Sequence, residues 1–283
     1  ATDPDADRVG VVVLHEGDLI PLNGNQIACI CLYHICEALS TQSSMPEKAA
    51  FLKTIATTEL FKAIAENYGG HCFNVLTGFK FIAEKITEWE KEKDGFKYIF
   101  GGEESYGYLL GTHCRDKDAV ITSALICEAA LHAKLQDKTL IDVLHEIYRK
   151  FGVYYEMLAS IQFEETKAGR ELMVKRMEAI QNNPPKTISG TTVISLEDYK
   201  NSWKTDLKTG KKTPLTLPKN DAYLFWLEDG TKVLIRPSGT EPKIKIYCGV
   251  VQKNVEEIEQ TIQRCKERAN QYLEGLKSLF TKL

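Results

Sequence analysis

Apolar and polar positions along the first 150 residues switch repeatedly between a strand period and a helix period. Residues 9–14 form a continuous apolar run, His15-Glu16-Gly17-Asp18 is turn-forming, and residues 19–22 return as a second short strand. Asn23-Gly24-Asn25 can cap a helix running through Ile27, Ile30, Cys31, His34, Ile35 and Leu39, spaced by three to four. A repeat of strand and helix follows. Strands are predicted at 51–56, 72–76 and 96–100, and helices at 59–68 (capped by Thr57 or Thr58), 79–89, 118–135 and 140–150. This alternation predicts a largely parallel, Rossmann-like α/β sheet, whose ligands gather beyond the C-terminal ends of the strands.

From Phe151 the texture changes. Residues 154–163 read as a strand, 165–181 as a helix broken by Asn182-Asn183-Pro184-Pro185, and 188–196 as another strand. Residues 203–218 read as a polar insertion with a Lys-Thr-Gly-Lys turn. Strands at 223–227, 232–235 and 244–250 precede a closing helix over 254–280. Strands and helices in blocks rather than alternation predict a separate α+β domain, with the boundary near residue 150.

At 283 residues and 43% apolar content the chain can bury two cores, and a net charge of -3 with 27% charged residues gives no electrostatic case for nucleic acid or a membrane surface. No apolar run has the length of a membrane span, and no basic-then-apolar leader opens the sequence. The eight cysteines include no C-x-x-C pair, so a reducing cytoplasmic setting is expected.

Several stretches carry candidate chemistry. Asp3, Asp5 and Asp7 stand at alternate positions before the first strand, and in an extended segment their side chains share a face. Three such carboxylates repel unless a hard cation, Mg²⁺ or Ca²⁺, lies among them; the plainer reading is a solvated acidic tip. An EF-hand reading fares worse, because Arg8 and Leu14 stand where a glycine and a glutamate are expected. Arg236-Pro237-Ser238-Gly239-Thr240-Glu241-Pro242-Lys243 joins two strands and offers a guanidinium, hydroxyls, turn amides and a lysine to a phosphate, although no P-loop is present. Its plainer reading is a glycine turn. Gly101-Gly102-Glu103-Glu104-Ser105-Tyr106-Gly107 places carboxylates and a hydroxyl after a buried strand, suited to sugar hydroxyls or acid/base work, or else an acidic turn. Thr77-Gly78-Phe79-Lys80 puts a lysine at a helix start, where the dipole disfavours a cation without an anionic partner. His113, Arg115, Asp116, Lys117 and Asp118 crowd polar groups ahead of an apolar helix, Asp116 or Asp118 serving as its cap. A lone His113 reads as surface or structural, and His34, His132 and His145 show no metal-ligand pattern.

Taken in order, the loops Asp3-Pro4-Asp5-Ala6-Asp7-Arg8, Gly102-Glu103-Glu104-Ser105 and Arg236-Pro237-Ser238-Gly239-Thr240-Glu241-Pro242 resemble the metal, sugar and phosphate loops of the α-D-phosphohexomutase superfamily. The Asp-Ala-Asp variant, Thr77-Gly78-Phe79-Lys80 and Arg115-Asp116-Lys117-Asp118 look most like the phosphoglucomutase-2 branch, which includes phosphopentomutases and glucose-1,6-bisphosphate synthases. The resemblance implies an enzyme whose phosphoserine donates to a sugar phosphate, forms a bisphosphorylated intermediate and recovers its phosphate from the other position. It implies Mg²⁺ on Asp3, Asp5 and Asp7, and Arg8 and Lys80 near the reaction centre. It further implies sugar contacts from Thr77, Gly78, Glu103 and Ser105. Phosphate contacts would come from Lys117, Arg236, Ser238, Gly239, Thr240 and Lys243, and glucose 1,6-bisphosphate or a related bisphosphate would be the activator.

By the same resemblance, residues 1–21 are the tail of a second mutase domain, 22–150 a third and 151–283 a fourth. The chain is then expected to be the C-terminal portion of a longer mutase, its missing N-terminal domains supplying the serine, and to be inactive alone. A haloacid-dehalogenase-like phosphatase also uses Asp-x-Asp with Mg²⁺, but its motif follows a strand, whereas Asp3 to Asp7 precede one. A non-catalytic phosphosugar-binding module is the remaining alternative. Hexose, pentose and deoxypentose phosphates are not distinguished by these residues.

Overall fold

The opening apolar run folds as a hairpin. In the computed structural model, which describes residues 1–239 and 241–282, β1 (Val11–His15) pairs antiparallel with β2 (Asp18–Leu22), with Leu14 opposite Leu19. Glu16 and Gly17 both take positive φ, the backbone a two-residue hairpin turn requires. The hairpin is its own two-stranded sheet. Helix α1 (Gly24–Thr41) starts on a capping box, Asn23 accepting from Gln26 N–H while the Gln26 side chain accepts from Asn23 N–H. Cys29, Cys31 and Cys36 on it are fully buried, and burial pushes the Cys31 and Cys36 thiols up to about 12, so they serve as small apolar groups. The chain divides into two compact units, Ala1–Gly152 and Val153–Leu283.

The first unit continues through β3 (Ala49–Thr54), α2 (Glu59–Asn67), β4 (His71–Val75), α3 (Phe79–Lys91), β5 (Lys97–Gly102), β6 (Tyr108–Leu110), α4 (Ala119–Lys134) and α5 (Leu140–Phe151). The sheet order is β4-β3-β5-β6, with β3 parallel to β4 and β5, and β6 antiparallel to β5. Strand β3 is buried at every position, as a central strand covered on both faces must be. Phe79, Ile82, Ile86 and Trp89 of α3 pack on Ala50, Leu52, Val75, Tyr98 and Leu109 of the sheet. The winding direction reverses between β3 and β5, so the loops after them flank a switch-point crevice.

Strand β6 lies outside the sequence expectation, because three residues are too few to show a period. Gly101 and Gly102, read from sequence as the start of the turn, lie inside β5. A Cβ on Gly101 would meet Leu52 O at 2.5 Å, and one on Gly102 would meet Tyr108 Cδ1 at 2.4 Å. These glycines let the neighbouring strands approach.

The second unit comprises β7 (Val153–Gln162), α6 (Lys167–Asn182), β8 (Thr187–Ile188), β9 (Thr191–Asp198), β10 (Trp203–Asp206), β11 (Lys212–Pro214), β12 (Tyr223–Leu227), β13 (Lys232–Pro237), β14 (Lys243–Gln252) and α7 (Ile258–Lys282). Its antiparallel sheet runs β11-β10-β9-β12-β13-β14-β7, with β8 pairing β9. Alternate residues Ile244, Ile246, Cys248 and Val250 of β14 are buried, and α7 packs on β14 and β7. Two differences from expectation come from turns. The stretch read as a polar insertion holds the hairpin β10–β11, closed by Asp206 Oδ1 accepting from Lys208 and Thr209 N–H and by Gly210 at φ 73°. The run read as one strand from 188 is broken into β8 and β9 by Ser189 and Gly190 at positive φ. Among the described residues no helix is long and apolar enough to cross a membrane.

Candidate functional site: the acidic loop and the loops around it

The aspartates at the start of the chain come together through a turn, which corrects the extended geometry expected from their alternate spacing. Ala6 sits at φ 55° and its N–H donates to Asp3 O at 3.0 Å. Asp3 Oδ1 then accepts from the N–H groups of Asp7 (3.2 Å) and Arg8 (3.0 Å), wrapping the loop around one carboxylate. A bridge between Thr2 and Val9 closes its base. Carboxylate oxygens of Asp3, Asp5 and Asp7 lie within 4.8 Å of one another. Desolvation opposes charge on Asp3, yet the N–H groups of Arg8 and Asp7 prevail and hold its carboxyl below the usual range.

Asp7 joins this loop to the rest of the unit. Its Oδ2 lies 2.7 Å from Lys117 Nζ, and its Oδ1 is buried without a hydrogen bond, with Arg8 Nε at 3.7 Å. An orphaned carboxylate oxygen beside two further carboxylates, one of them exposed on Asp5, is a donor set that fits a hard divalent cation of the Mg²⁺ type. The Lys117 side chain is mostly buried, stands 3.0 Å from Asp116 Oδ1 as well, and lies 5.8 Å from the Phe79 ring centre. Burial works against its charge, but the bonds to Asp7 and Asp116 hold its pKa above the ordinary lysine value. Its stem crosses Gly107, where a Cβ would stand 2.2 Å from Lys117 Cδ.

Backbone bonds tie three loops into one corner. Val9 N–H donates to Tyr106 O (3.1 Å), Ala119 N–H to Ala6 O (3.1 Å) and Asp118 N–H to Tyr108 O (2.8 Å). Asp118 caps α4 through Val120 and Ile121 N–H, and its other oxygen meets His113 Nε2 at 2.8 Å.

The two glutamates after β5 diverge. Glu103 is 8% exposed, and its Oε1 accepts from Gly78 N–H at 2.7 Å, where Gly78 (φ 117°) precedes α3. Glu104 turns into the crevice and accepts from the buried hydroxyls of Thr54 (3.1 Å) and Thr57 (3.3 Å). Ser105 is half-buried beside them, and Thr77 is half-buried ahead of Gly78. Lys80 is exposed in the first turn of α3, its Nζ 4.9 Å from the Phe81 ring centre. The cations paired with the aspartate loop are Lys117 and Arg8 instead.

Sequence reasoning missed Glu104 as a half-buried acceptor, its partners Thr54 and Thr57, and the fully buried Lys53, whose Nζ lies 2.8 Å from Glu59 Oε1. The signal was there: a lone lysine inside an apolar central strand needs a nearby carboxylate. Gly24 is a further requirement, since a Cβ there would stand 2.0 Å from Glu104 O.

Burial pushes the Glu103 carboxyl above the usual glutamate range; the Gly78 N–H opposes this and the Glu104 charge adds to it. A carboxyl raised in the folded state contributes stability that is fully present below the unfolded pKa, about 4.3, and is lost as pH rises through the folded value. Glu103→Gln keeps an oxygen for Gly78 but removes the titration. The urea midpoint of the native chain is therefore expected to fall relative to that of Glu103→Gln as pH is raised from the acidic side to neutrality. Parallel curves would contradict the burial argument.

The arginine loop belongs to the second unit and stands by itself. It joins β13 to β14, with Arg236 opposite Lys245 and Pro237 opposite Ile244, and is tightened by Ser238 N–H donating to Lys243 O and Lys243 N–H to Glu241 O, both 2.8 Å. Arg236 and Ser238 are half-buried, and Gly239 is exposed with open space around its Cα. Lys243, read as a phosphate ligand, pairs with Glu241, and that pairing holds the Glu241 carboxyl below its usual range. Thr240 lies outside the described residues.

Residues 23–151 match the family described as phosphoglucomutase/phosphomannomutase, alpha/beta/alpha domain III. A Staphylococcus epidermidis phosphoglucomutase is 36% identical over 87% of this chain and 44% of its own length. A Staphylococcus aureus phosphoglucomutase is 35% identical over 93% of this chain and 46% of its own. The chain thus spans less than half the length of these curated relatives. In fold it is similar to a Thermus thermophilus putative phosphomannomutase (TM-score 0.59, 21% identity, 98% of this chain and 44% of that one). It is also similar to the Paramecium phosphoglucomutase parafusin (TM-score 0.60, 18% identity, 98% and 45%).

Proposed function

Since the chain belongs to the α-D-phosphohexomutase superfamily, we propose that it supplies the metal, sugar and phosphate loops of a longer enzyme that moves a phosphoryl group between two positions of a sugar phosphate. The observation carrying this reading is the acidic corner of the first unit: three convergent carboxylates, an orphaned Asp7 oxygen, and Lys117 clamped across to them. Phosphoryl transfer asks for in-line placement and concentrated positive charge rather than covalent help from side chains.

In this reading Asp3, Asp5 and Asp7 would hold Mg²⁺, which would supply positive charge for phosphoryl transfer. Asp7 is kept in place by Lys117, and Arg8 extends the positive field on its exposed side. Glu103, fixed by Gly78 N–H, offers its remaining lone pairs to sugar hydroxyls, with Ser105 as a neutral partner and Thr77 beside it. Lys80 projects from the same α3 start towards solvent and is assigned to charge recognition of the substrate. Arg236, Ser238, Gly239 and Thr240 hold the phosphate that is not being transferred, and Lys243 reaches it only by leaving Glu241. A related sugar bisphosphate is the activator. The phosphoserine is assigned to the part of the relatives' length that this chain does not span, and the setting to the cytoplasm. The preferred branch is phosphoglucomutase-2-like, acting on hexose or pentose 1-phosphates; bisphosphate synthesis is the neighbouring activity.

The isolated chain is therefore expected to show no turnover of glucose 1-phosphate or ribose 1-phosphate with bisphosphate present. A longer polypeptide containing it should turn over and trap phosphate on a serine outside these residues. Robust turnover by the isolated chain, or a phosphoaspartate among Asp3, Asp5 and Asp7, would contradict the proposal. Binding without turnover in the longer polypeptide would favour a phosphosugar-binding module.

A further inference from the structure

The loop between β6 and α4 carries a second set of metal-ligating groups that the proposed reaction leaves unused. His113, Cys114 and Asp118 bring a ring nitrogen, a thiol sulfur and a carboxylate oxygen within 4.8 Å of one another. The backbone presenting them is held independently of those donor atoms. Arg115 Nη1 donates to Thr112 O (2.7 Å) and Cys114 O (3.0 Å), Arg115 pairs with Glu90, and Asp118 N–H donates to Tyr108 O (2.8 Å). A helix cap and a His–Asp hydrogen bond explain Asp118 and His113 taken as a pair. Cys114 packs at the edge of the apolar core and its thiol, a weak donor, donates to Asp116 O at 3.1 Å; neither contact engages the sulfur lone pairs, and the sulfur stands within reach of both His113 and Asp118.

We propose that His113, Cys114 and Asp118 form a binding site for a borderline transition-metal cation of the Zn²⁺ class, separate from the aspartate loop. Imidazole, thiolate and carboxylate are all ordinary Zn²⁺ ligands, and three of them leave a fourth position for water. With bonds of about 2.0–2.3 Å, tetrahedral donors stand roughly 3.3–3.8 Å apart. His113 Nε2 and Asp118 Oδ2, now 2.8 Å apart, need to part only slightly to admit the ion. On binding, the Cys114 proton leaves to solvent, the His113–Asp118 hydrogen bond gives way to two coordinate bonds, and the ring proton resides on Nδ1. Affinity therefore rises with pH.

The two sites select by ligand softness. Mg²⁺ prefers the all-oxygen set of Asp3, Asp5 and Asp7, while a thiolate with an imidazole favours Zn²⁺ and its neighbours. They are joined through one short loop, since Lys117, which holds Asp7, lies between Cys114 and Asp118. Filling the softer site fixes the loop that presents Lys117 to the harder one.

Titrating Co²⁺ onto the whole chain tests this. One equivalent is expected to give a near-ultraviolet thiolate-to-cobalt band that excess Mg²⁺ leaves intact and Zn²⁺ removes. Cys114→Ser should abolish the band, and Asp5→Asn should leave it. Asp118→Asn preserves the helix cap, because asparagine caps as well as aspartate. It should weaken Zn²⁺ binding at least about 10–100-fold, the range already seen for changes outside the ligand shell. His113→Ala, at an exposed side chain, serves the same purpose if Cys114→Ser fails to fold. Absence of the band at one equivalent would overturn the proposal. So would its survival in Cys114→Ser, its loss to Mg²⁺, or its loss in Asp5→Asn.

Discussion

Glu59→Ala is expected to destabilise the first unit by about 3–5 kcal/mol, the cost of leaving a buried charge without its partner. Lys53 has no exposed side-chain surface, and its Nζ is met by Glu59 Oε1 at 2.8 Å and Thr57 O at 3.3 Å. Removing the glutamate leaves the ammonium to one carbonyl inside the switch-point crevice. Glu59 is also the first residue of α2, where a negative charge suits the helix dipole, so its loss weakens the helix start as well. Water reaching the site from the partly exposed side of Glu59 sets the lower end of the range. Replacing both partners with apolar residues of similar volume, Lys53→Met with Glu59→Leu, should recover most of the loss. Urea unfolding of the native chain and the two variants distinguishes the cases. A change below about 1 kcal/mol for Glu59→Ala would place the pair with ordinary surface ion pairs.

Asp5→Asn is expected to weaken divalent-cation binding at the aspartate loop by roughly 100-fold or more, since it removes a ligand and changes to the supporting shell already cost 10–100-fold. Asp5 is exposed, whereas Asp3 holds the turn together and Asp7 anchors Lys117. The Asp5 substitution therefore removes a donor and spares the scaffold. Mn²⁺ added to the chain should broaden the amide signals of residues 3–8 first, and in Asp5→Asn the broadening should need far more ion. Equal broadening in both would show that the three carboxylates are a solvated tip.

Much of the fold was legible because local chemistry and tertiary demand agree. The Glu16–Gly17 turn, the Asn23 and Asp118 caps and the three-to-four spacing of α1 each point to the element that formed. What escaped depended on partners remote in sequence or on local turns that the apolar pattern does not display. Strand β6 exists because β5 offers it an edge, and β10–β11 because Asp206 and Gly210 close a turn within a polar run. The aspartates were found by their spacing, but spacing suggested an extended face. Their convergence instead depends on Ala6 adopting positive φ and on Asp3 collecting two N–H groups. The resemblance implies a phosphate contact for Lys117, yet its grip on Asp7 requires the aspartate loop to lie against α4 through Ala6 and Ala119. Glu104 was unreadable for the same reason: its Thr54 and Thr57 partners are defined by the fold that brings β3 beside it.

If the chain carries sugar-phosphate recognition in loops of both units, a single titration should report on each of them. Glucose 1-phosphate is added to the chain with Mg²⁺ present, and backbone amide shifts are followed. The shifts are expected to concentrate on Thr77–Gly78 and Glu103–Ser105 in the first unit and on Arg236, Ser238 and Gly239 in the second. Saturating shifts confined to other surfaces, or none at any of these residues, would contradict that division of labour.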